Sequence, residues 1–178
     1  MAKNTLKGKA HTSIELEKPE EIKIGIVQAQ WNHQITDHMA GECKKALLEA
    51  SILEENIFHE LVPGSFELPL GAQYIENYRE PDAVICLGCV IKGETDHDVF
   101  INQGITSAIM GLNLRYGKPF VFGVLTVNTE AQALARTDGT KENKGREAAE
   151  AALEMIALDR KLKSQTKSTI GFKPYQKL

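Results

Sequence analysis

The sequence predicts an α/β fold, a three-layer αβα sandwich on a flavodoxin-like four-stranded parallel sheet of order 2-1-3-4, with helices on both faces. Three observations predict it. Short β-branched runs alternate with stretches of helical apolar spacing through most of the chain. Ala83 to Val90 is continuously apolar, as in a strand buried on both faces of a parallel sheet. Each strand is followed by a helical segment, which implies right-handed crossovers between parallel neighbours.

The elements read in order as follows. Ile22 to Val27 is a β-branched run ending in polar residues, and so a first strand. Ile35 to Leu53 follows as a helix, with Met39, Cys43, Ala46, Leu47 and Ala50 at helical spacing and Thr36 or Asp37 as its cap. Ile57 to Val62 is a second strand closed by Pro63-Gly64, and a helix then runs from Ser65 to about Asn77. Arg79 to Asp82 forms a turn ahead of the third strand. A long helix spans about Asp98 to Arg115, until Gly117-Lys118-Pro119 breaks it. Phe120 to Val127 is the fourth strand, Thr129 to Arg136 a short helix, and Lys144 to Leu162 an Ala-rich final helix.

The 178 residues suit one domain with a sizeable core. That domain is expected over residues 22–162, between a flexible N-terminal segment (1–21) and a polar C-terminal tail (163–178). A net charge of -3 and a pI near 6.0 give no electrostatic reason to expect nucleic acid or an anionic membrane as partner. The longest apolar runs are far shorter than a membrane span, and residues 1–21 lack the apolar centre of a secretory signal, so a cytoplasmic location is expected. Cys86 and Cys89 have CxxC spacing, but they sit in a strand-like run with no second ligand pair. Residues three apart on a strand face opposite ways, so buried structural thiols are expected, and no metal.

Ligands of such sheets bind beyond the carboxyl ends of the strands. Past the first strand stands Trp31, the single tryptophan, which either stacks on a planar ligand or plugs the sheet edge. Past the second, Ser65, Phe66 and Glu67 open a helix; Glu67 either binds a polyhydroxylated or amide ligand or is a first-turn carboxylate behind a Ser65 cap. Past the third, Gly93-Glu94-Thr95-Asp96-His97 offers free backbone N–H groups at a helix start, a ready anion site. Glu94 and Asp96 oppose an anion unless they point outward. His97 is either a surface residue or, beside such a pocket, a proton acceptor and donor. Past the fourth, Arg136 is either a solvated cation or a bidentate phosphate contact. Asn143-Lys144-Gly145 reads alone as ordinary turn chemistry.

Taken together, Gln30-Trp31-Asn32-His33, Val62 to Pro69, Gly93 to His97, Phe122-Gly123-Val124-Leu125-Thr126 and Asn143-Lys144-Gly145 occur in the order and spacing of one family. Over roughly Ile22 to Leu162 the chain resembles the lumazine synthases. The resemblance implies a transferase of riboflavin biosynthesis that joins 5-amino-6-(D-ribitylamino)uracil to 3,4-dihydroxy-2-butanone 4-phosphate without metal or organic cofactor. It implies a pyrimidine-stacking role for Trp31, ribityl contacts at Ser65, Phe66 and Glu67, and pyrimidine contacts at Cys89, Val90 and Ile91. Phe122 matches an aromatic that covers the site from a neighbouring subunit. Glu94, Thr95 and Arg136 match contacts to the butanone phosphate, His97 the proton-transfer histidine, and Lys144 a basic residue at the site's edge.

The family forms homopentamers, some of them packed twelvefold into an icosahedral capsid, and riboflavin synthase is a partner of some members. Two departures are visible. Thr137 to Glu142 precedes the Asn143 turn where many capsid-forming members carry a second glycine. Asp98-Val99-Phe100 follows His97 where an aromatic residue is usual. A catalytically silent flavin- or lumazine-binding relative, and a flavodoxin-like nucleotide-binding domain, are the competing readings.

Overall fold

The alternating pattern folds as four parallel strands, β1 (Ile24–Ala29), β2 (Ile57–Val62), β3 (Ala83–Ile91) and β4 (Phe120–Val127), in the order β2-β1-β3-β4. The computed structural model describes residues 16–137 and 143–167. Five helices connect and cover the sheet: α1 (His33–Glu49), α2 (Leu68–Arg79), α3 (His97–Tyr116), α4 (Glu130–Leu134) and α5 (Lys144–Lys167). This is the expected α/β sandwich with the expected strand order.

Two apolar layers hold it together. On one face Ile24, Ile26, Ile85 and Leu87 pack with Met39, Cys43 and Leu47 of α1 and with Ala149, Ala152 and Leu153 of α5. On the other, Val27, Ala29, Val84 and Cys86 pack with Leu68, Ala72 and Ile75 of α2 and Ile105 and Ile109 of α3. β3 feeds both layers, which is why its sequence is apolar without alternation. Cys86 and Cys89 fall in opposite layers, and all three cysteines are buried, free thiols.

Several boundaries move for identifiable reasons. β1 begins and ends two residues later than expected. Ile22 closes a 3-10 turn at Pro19–Glu21 by donating to the Pro19 carbonyl, and at the far end the strand continues through a polar residue. Gln28 is buried there because its amide is satisfied: Nε2 donates to Asp37 (2.6 Å) and Thr36 (3.3 Å), and Oε1 lies 2.8 Å from His59 Nε2. Leu16 packs on the core, so the fold draws in part of the expected N-terminal segment.

Thr36 and Asp37 are not caps. Thr36 Oγ1 donates to the Ala29 carbonyl, and α1 starts earlier, at His33, behind Asn32 in the left-handed region (φ 58°). The helix also ends before Leu53. Ser51 turns left-handed (φ 66°), and Ile52 N donates back to the Leu47 carbonyl, which buries the Ile52 side chain. The helix expected from Ser65 is a 3-10 turn (Ser65–Glu67) leading into α2. Ser65 does not cap it; the Glu67 carboxylate accepts from Gly64 N at 3.0 Å. α2 runs on to Arg79, and Glu80 (φ 48°) ends it. α5 continues to Lys167, five residues past Leu162, as a solvent-facing helix with a Lys163–Asp159 pair at 2.6 Å.

At the start of α5, Asn143 Oδ1 accepts from Gly145 N and its Nδ2 donates to the Thr137 carbonyl, both at 2.8 Å. Gly145 lies directly against the Met39 backbone of α1, where an added Cβ would collide with the carbonyl group. Backbone cannot swing aside as a side-chain tip can. Gly145→Ala should therefore cost about 3 kcal/mol, the upper range for an overpacked site, read from the denaturant midpoint at unchanged slope.

α3 has an unusual surface. Ile105, Ile109 and Leu112 face the sheet, yet Val99, Phe100, Met110 and Leu114 are exposed on its other sides. α2 adds Leu70, Tyr74 and Tyr78, so this outer layer presents a broad apolar face. Exposed apolar side chains in this number mark a contact surface.

Candidate functional site

Parallel strands bring their carboxyl ends to one edge of the sheet, and the segments that follow β1, β2 and β3 meet there. The chain leaving β1 is tied to that leaving β2: Gln30 N donates to the Val62 carbonyl (2.9 Å) and Trp31 N to the Pro63 carbonyl (3.2 Å). Asn32 Nδ2 donates to the Cys89 carbonyl (2.9 Å), tying the same turn to β3. This cross-link explains why a non-glycine residue is held in the left-handed region at Asn32. A Cβ on Gly64 would sit 3.4 Å from the Trp31 ring, so the indole rests on this glycine. Trp31 is nevertheless 71% exposed.

These ties border an open cavity of about 660 Å³. From the β1 and β2 ends it receives Trp31, Ser65, Phe66 and Glu67. From β3 and the start of α3 it receives Cys89, Val90, Ile91, Thr95 and His97. Nine residues singled out from sequence thus line one concavity. The walls combine apolar surface with a few convergent polar groups, the usual makeup of a small-molecule site.

The remaining four do not join them within one chain. Phe122 and Lys144 line a second depression of about 350 Å³ between the edge strand β4 and α5, with Val124 and Glu147. Arg136 lines neither, but its carbonyl accepts from Lys144 N (3.2 Å), so it belongs beside the second. The Lys144 ammonium pairs with Glu147. Glu94 is exposed and lines neither cavity. Sequence reasoning passed over Asn32, Pro63, Gly64, Gly93, Asp98 and Ile101 as lining residues, although most lie within the motifs quoted above. The departure noted before Asn143 falls on 138–142, outside the described residues.

No group of three or more His, Cys, Asp or Glu side chains among the described residues could hold a metal ion. No described helix is long and apolar enough to cross a membrane. Burial pushes the thiols of Cys43 and Cys86 up to about 12, and that of Cys89 up to about 11. Since only the thiolate is a nucleophile, none should act in chemistry at neutral pH. In the native protein at pH 8, iodoacetamide should leave all three unmodified over the time that alkylates them fully in denaturant; rapid native labelling of Cys89 would contradict its enclosure.

Known proteins resemble this chain in sequence. Residues 21–160 match the family model described as 6,7-dimethyl-8-ribityllumazine synthase. The protein of that name from Cytophaga hutchinsonii is 47% identical over 133 residues, covering 75% of this chain and 84% of the relative. That from Porphyromonas gingivalis is 43% identical over 141 residues, covering 79% and 88%. That from Flavobacterium psychrophilum is 41% identical over 159 residues, covering 89% and 81%.

Proposed function

The chain belongs to the 6,7-dimethyl-8-ribityllumazine synthase family, transferases of riboflavin biosynthesis, and on that premise we propose that it condenses 5-amino-6-(D-ribitylamino)uracil with 3,4-dihydroxy-2-butanone 4-phosphate. The observation that carries this reading is the convergence of Trp31, the Ser65–Glu67 turn, the β3 end and His97 on one cavity. Trp31 offers a face for the pyrimidine. Ser65, Phe66 and Glu67 meet the ribityl chain, and the Cys89–Ile91 segment meets the pyrimidine edge.

The 5-amino group attacks the ketone carbonyl and water leaves, giving an imine. Loss of the proton from the neighbouring CHOH carbon expels phosphate and leaves an enol, which tautomerises to a new carbonyl; the ribitylamino nitrogen closes the second ring on that carbonyl, with loss of a second water. His97 accepts and returns protons among these steps. Most of the acceleration comes from holding the two reactants in register, for which a concavity lined from three strand ends is suited. No cofactor is required by this sequence of steps.

Phosphate is held through Thr95, Arg136 and the amides at the start of α3, with Glu94 near the same loop. Arg136, Lys144 and Phe122 reach the cavity from a neighbouring subunit. Supporting this is their position on the second depression and its border, away from the cavity of their own chain. The apolar outer layer of α2 and α3 supplies further contact surface for a ring of at least five copies. Assembly of such rings into an icosahedral shell, association with riboflavin synthase and a cytoplasmic location follow the family pattern.

The test is turnover. Protein is mixed with both substrates, and lumazine absorbance and fluorescence are followed against the uncatalysed reaction. Acceleration that needs both substrates supports the proposal. A folded protein that binds flavin or lumazine without turnover favours the silent relative. Light scattering that finds an active monomer would sink the shared site.

A further inference from the structure

The cavity wall made by Phe66 rests on a residue that none of the roles above includes. α3 turns one face to the cavity: His97 and Ile101 line it, and Gly104 follows at the same helical spacing. Gly104 is not itself a lining residue; the Phe66 ring lies against it. A Cβ at Gly104 would stand 3.3 Å from Cε2 and 3.9 Å from Cδ2 of that ring. Beyond its own helix it would meet nothing else within 4 Å among the described residues. Carbon atoms pack best at about 3.5–4.0 Å, so an added methyl would push the ring edge back by a few tenths of an ångström. The backbone at Gly104 is ordinary helix with no positive φ, so space is what a side chain would disturb. The other helical glycines differ. Gly71 meets Val62 and Val27 of the sheet, Gly145 meets the Met39 backbone, and Gly41 and Gly111 meet nothing within 4 Å. Among the described helices, Gly104 alone has a cavity side chain seated on it.

We propose that Gly104 is a positioning residue for the ribityl-binding wall: by carrying no side chain it lets the Phe66 ring seat on α3, and so sets the spacing between that wall and the helix face that carries His97. This rests on the function proposed above. Phe66 is 59% exposed, so its ring has room to retreat from an added methyl. The loss then falls on the position of the wall and not on the fold. Glycine inside a helix forgoes stability that alanine would supply, and here that stability is exchanged for the placement of the ring. Phe66 meets the polyol chain, which is the same group in substrate, intermediate and product. A displaced ring therefore weakens binding at every stage alike, which raises KM and leaves kcat in place. The butanone phosphate is held elsewhere, through Thr95 and the amides at the start of α3, and its use is spared.

The experiment uses the full-length assembled protein at one concentration, with Gly104→Ala, Gly41→Ala, Phe66→Leu and the pair Gly104→Ala with Phe66→Leu. In Gly104→Ala, the KM for the ribitylaminouracil and the Kd of the lumazine product should both rise about three- to tenfold, a fraction of the roughly hundredfold loss that follows a 1 Å misplacement, with kcat within about twofold. The KM for the butanone phosphate should hold. The melting temperature of the ligand-free protein should stay level or rise by up to about 3 °C, from the better helix propensity of the new residue. Gly41→Ala, on an exposed position of α1, should show the same thermal gain with no change in KM or Kd. Weaker binding in a protein no less stable is a result that a merely structural residue does not give. In the Phe66→Leu background the ring edge is gone, so adding Gly104→Ala should change KM by less than about 1.5-fold, the non-additivity of two residues in contact. A wild type that turns over, with Gly104→Ala binding substrate and product as tightly as it does, overturns this inference alone. So does the same rise in KM in both backgrounds, or a melting temperature that falls in step with activity. A wild type that neither turns over nor binds product overturns the proposed function and this inference together.

Discussion

His97→Ala should lower kcat by about 100- to 10,000-fold, the loss that follows removal of a positioned acid–base group, while changing product affinity by no more than about threefold. The separation of the two effects is the diagnostic part. His97 is the first residue of α3 and is exposed on the cavity rim, and its side chain makes no hydrogen bond among the described residues. Its removal breaks no packing, so stability should move by less than about 0.5 kcal/mol, as for a surface position. The stacking and polyol contacts at Trp31 and Ser65–Glu67 are untouched. Single-turnover kinetics together with fluorescence titration of product would separate chemistry from binding. Parallel losses in both would make His97 a binding residue and leave the proton transfers without an owner.

The second expected result is a recovery. A chain carrying Arg136→Ala and Lys144→Ala should be nearly inactive, chiefly through poor use of the butanone phosphate, and His97→Ala is inactive for a different reason. Mixed one to one during assembly, the two should regain about a quarter of wild-type activity if the site is built head-to-tail around a closed ring. Each site draws its cavity from one subunit and its covering wall from the next. Each half is intact with a chance of about one in two, and the two draws are independent. Lys144 pairs with Glu147 at a partly exposed position, where such pairs add little stability, so the double variant should still fold. The assay is steady-state turnover after co-refolding at varied ratios, with a maximum near equal amounts. Activity no greater than the sum of the separate proteins would mean that all these residues serve one chain's own site, contrary to their separation in the structure.

How far the sequence could be read depended on what each signal measures. β3 was legible because burial on both faces leaves no polar position between Ala83 and Val90. The strand order followed from the alternation of elements and from handedness, both chain-level properties. Helix starts were less legible. Thr36 and Asp37 have capping chemistry, but they spend it on Ala29 and Gln28 across a tertiary contact that local pattern does not contain. The end of β1 was misjudged for the same reason, since a buried Gln28 looks like a strand end until its partners are known.

The site divides similarly. Trp31, Ser65 and His97 could be named because ligands gather where parallel strands end. The separation of Phe122, Lys144 and Arg136 from that cavity is geometric, and no residue type encodes it. Gly104 illustrates the remaining limit. Its place within a helix was visible, but the ring seated on it is a property of three-dimensional surroundings alone.

The apolar outer layer bears on the life of a newly made chain. Before it meets other copies, a subunit carries Tyr78 and Leu114, each 80% exposed, and Phe100 and Met110 are exposed as well. Such a chain is committed to a race between correct pairing and indiscriminate clumping, and both speed up with concentration. Slow synthesis starves the ring of members, whereas rapid synthesis crowds half-built rings with sticky faces. Soluble yield should therefore peak at an intermediate rate of production and improve when a holdase chaperone shelters the free subunit. On this view the ring is also the state in which each subunit is safe from its neighbours.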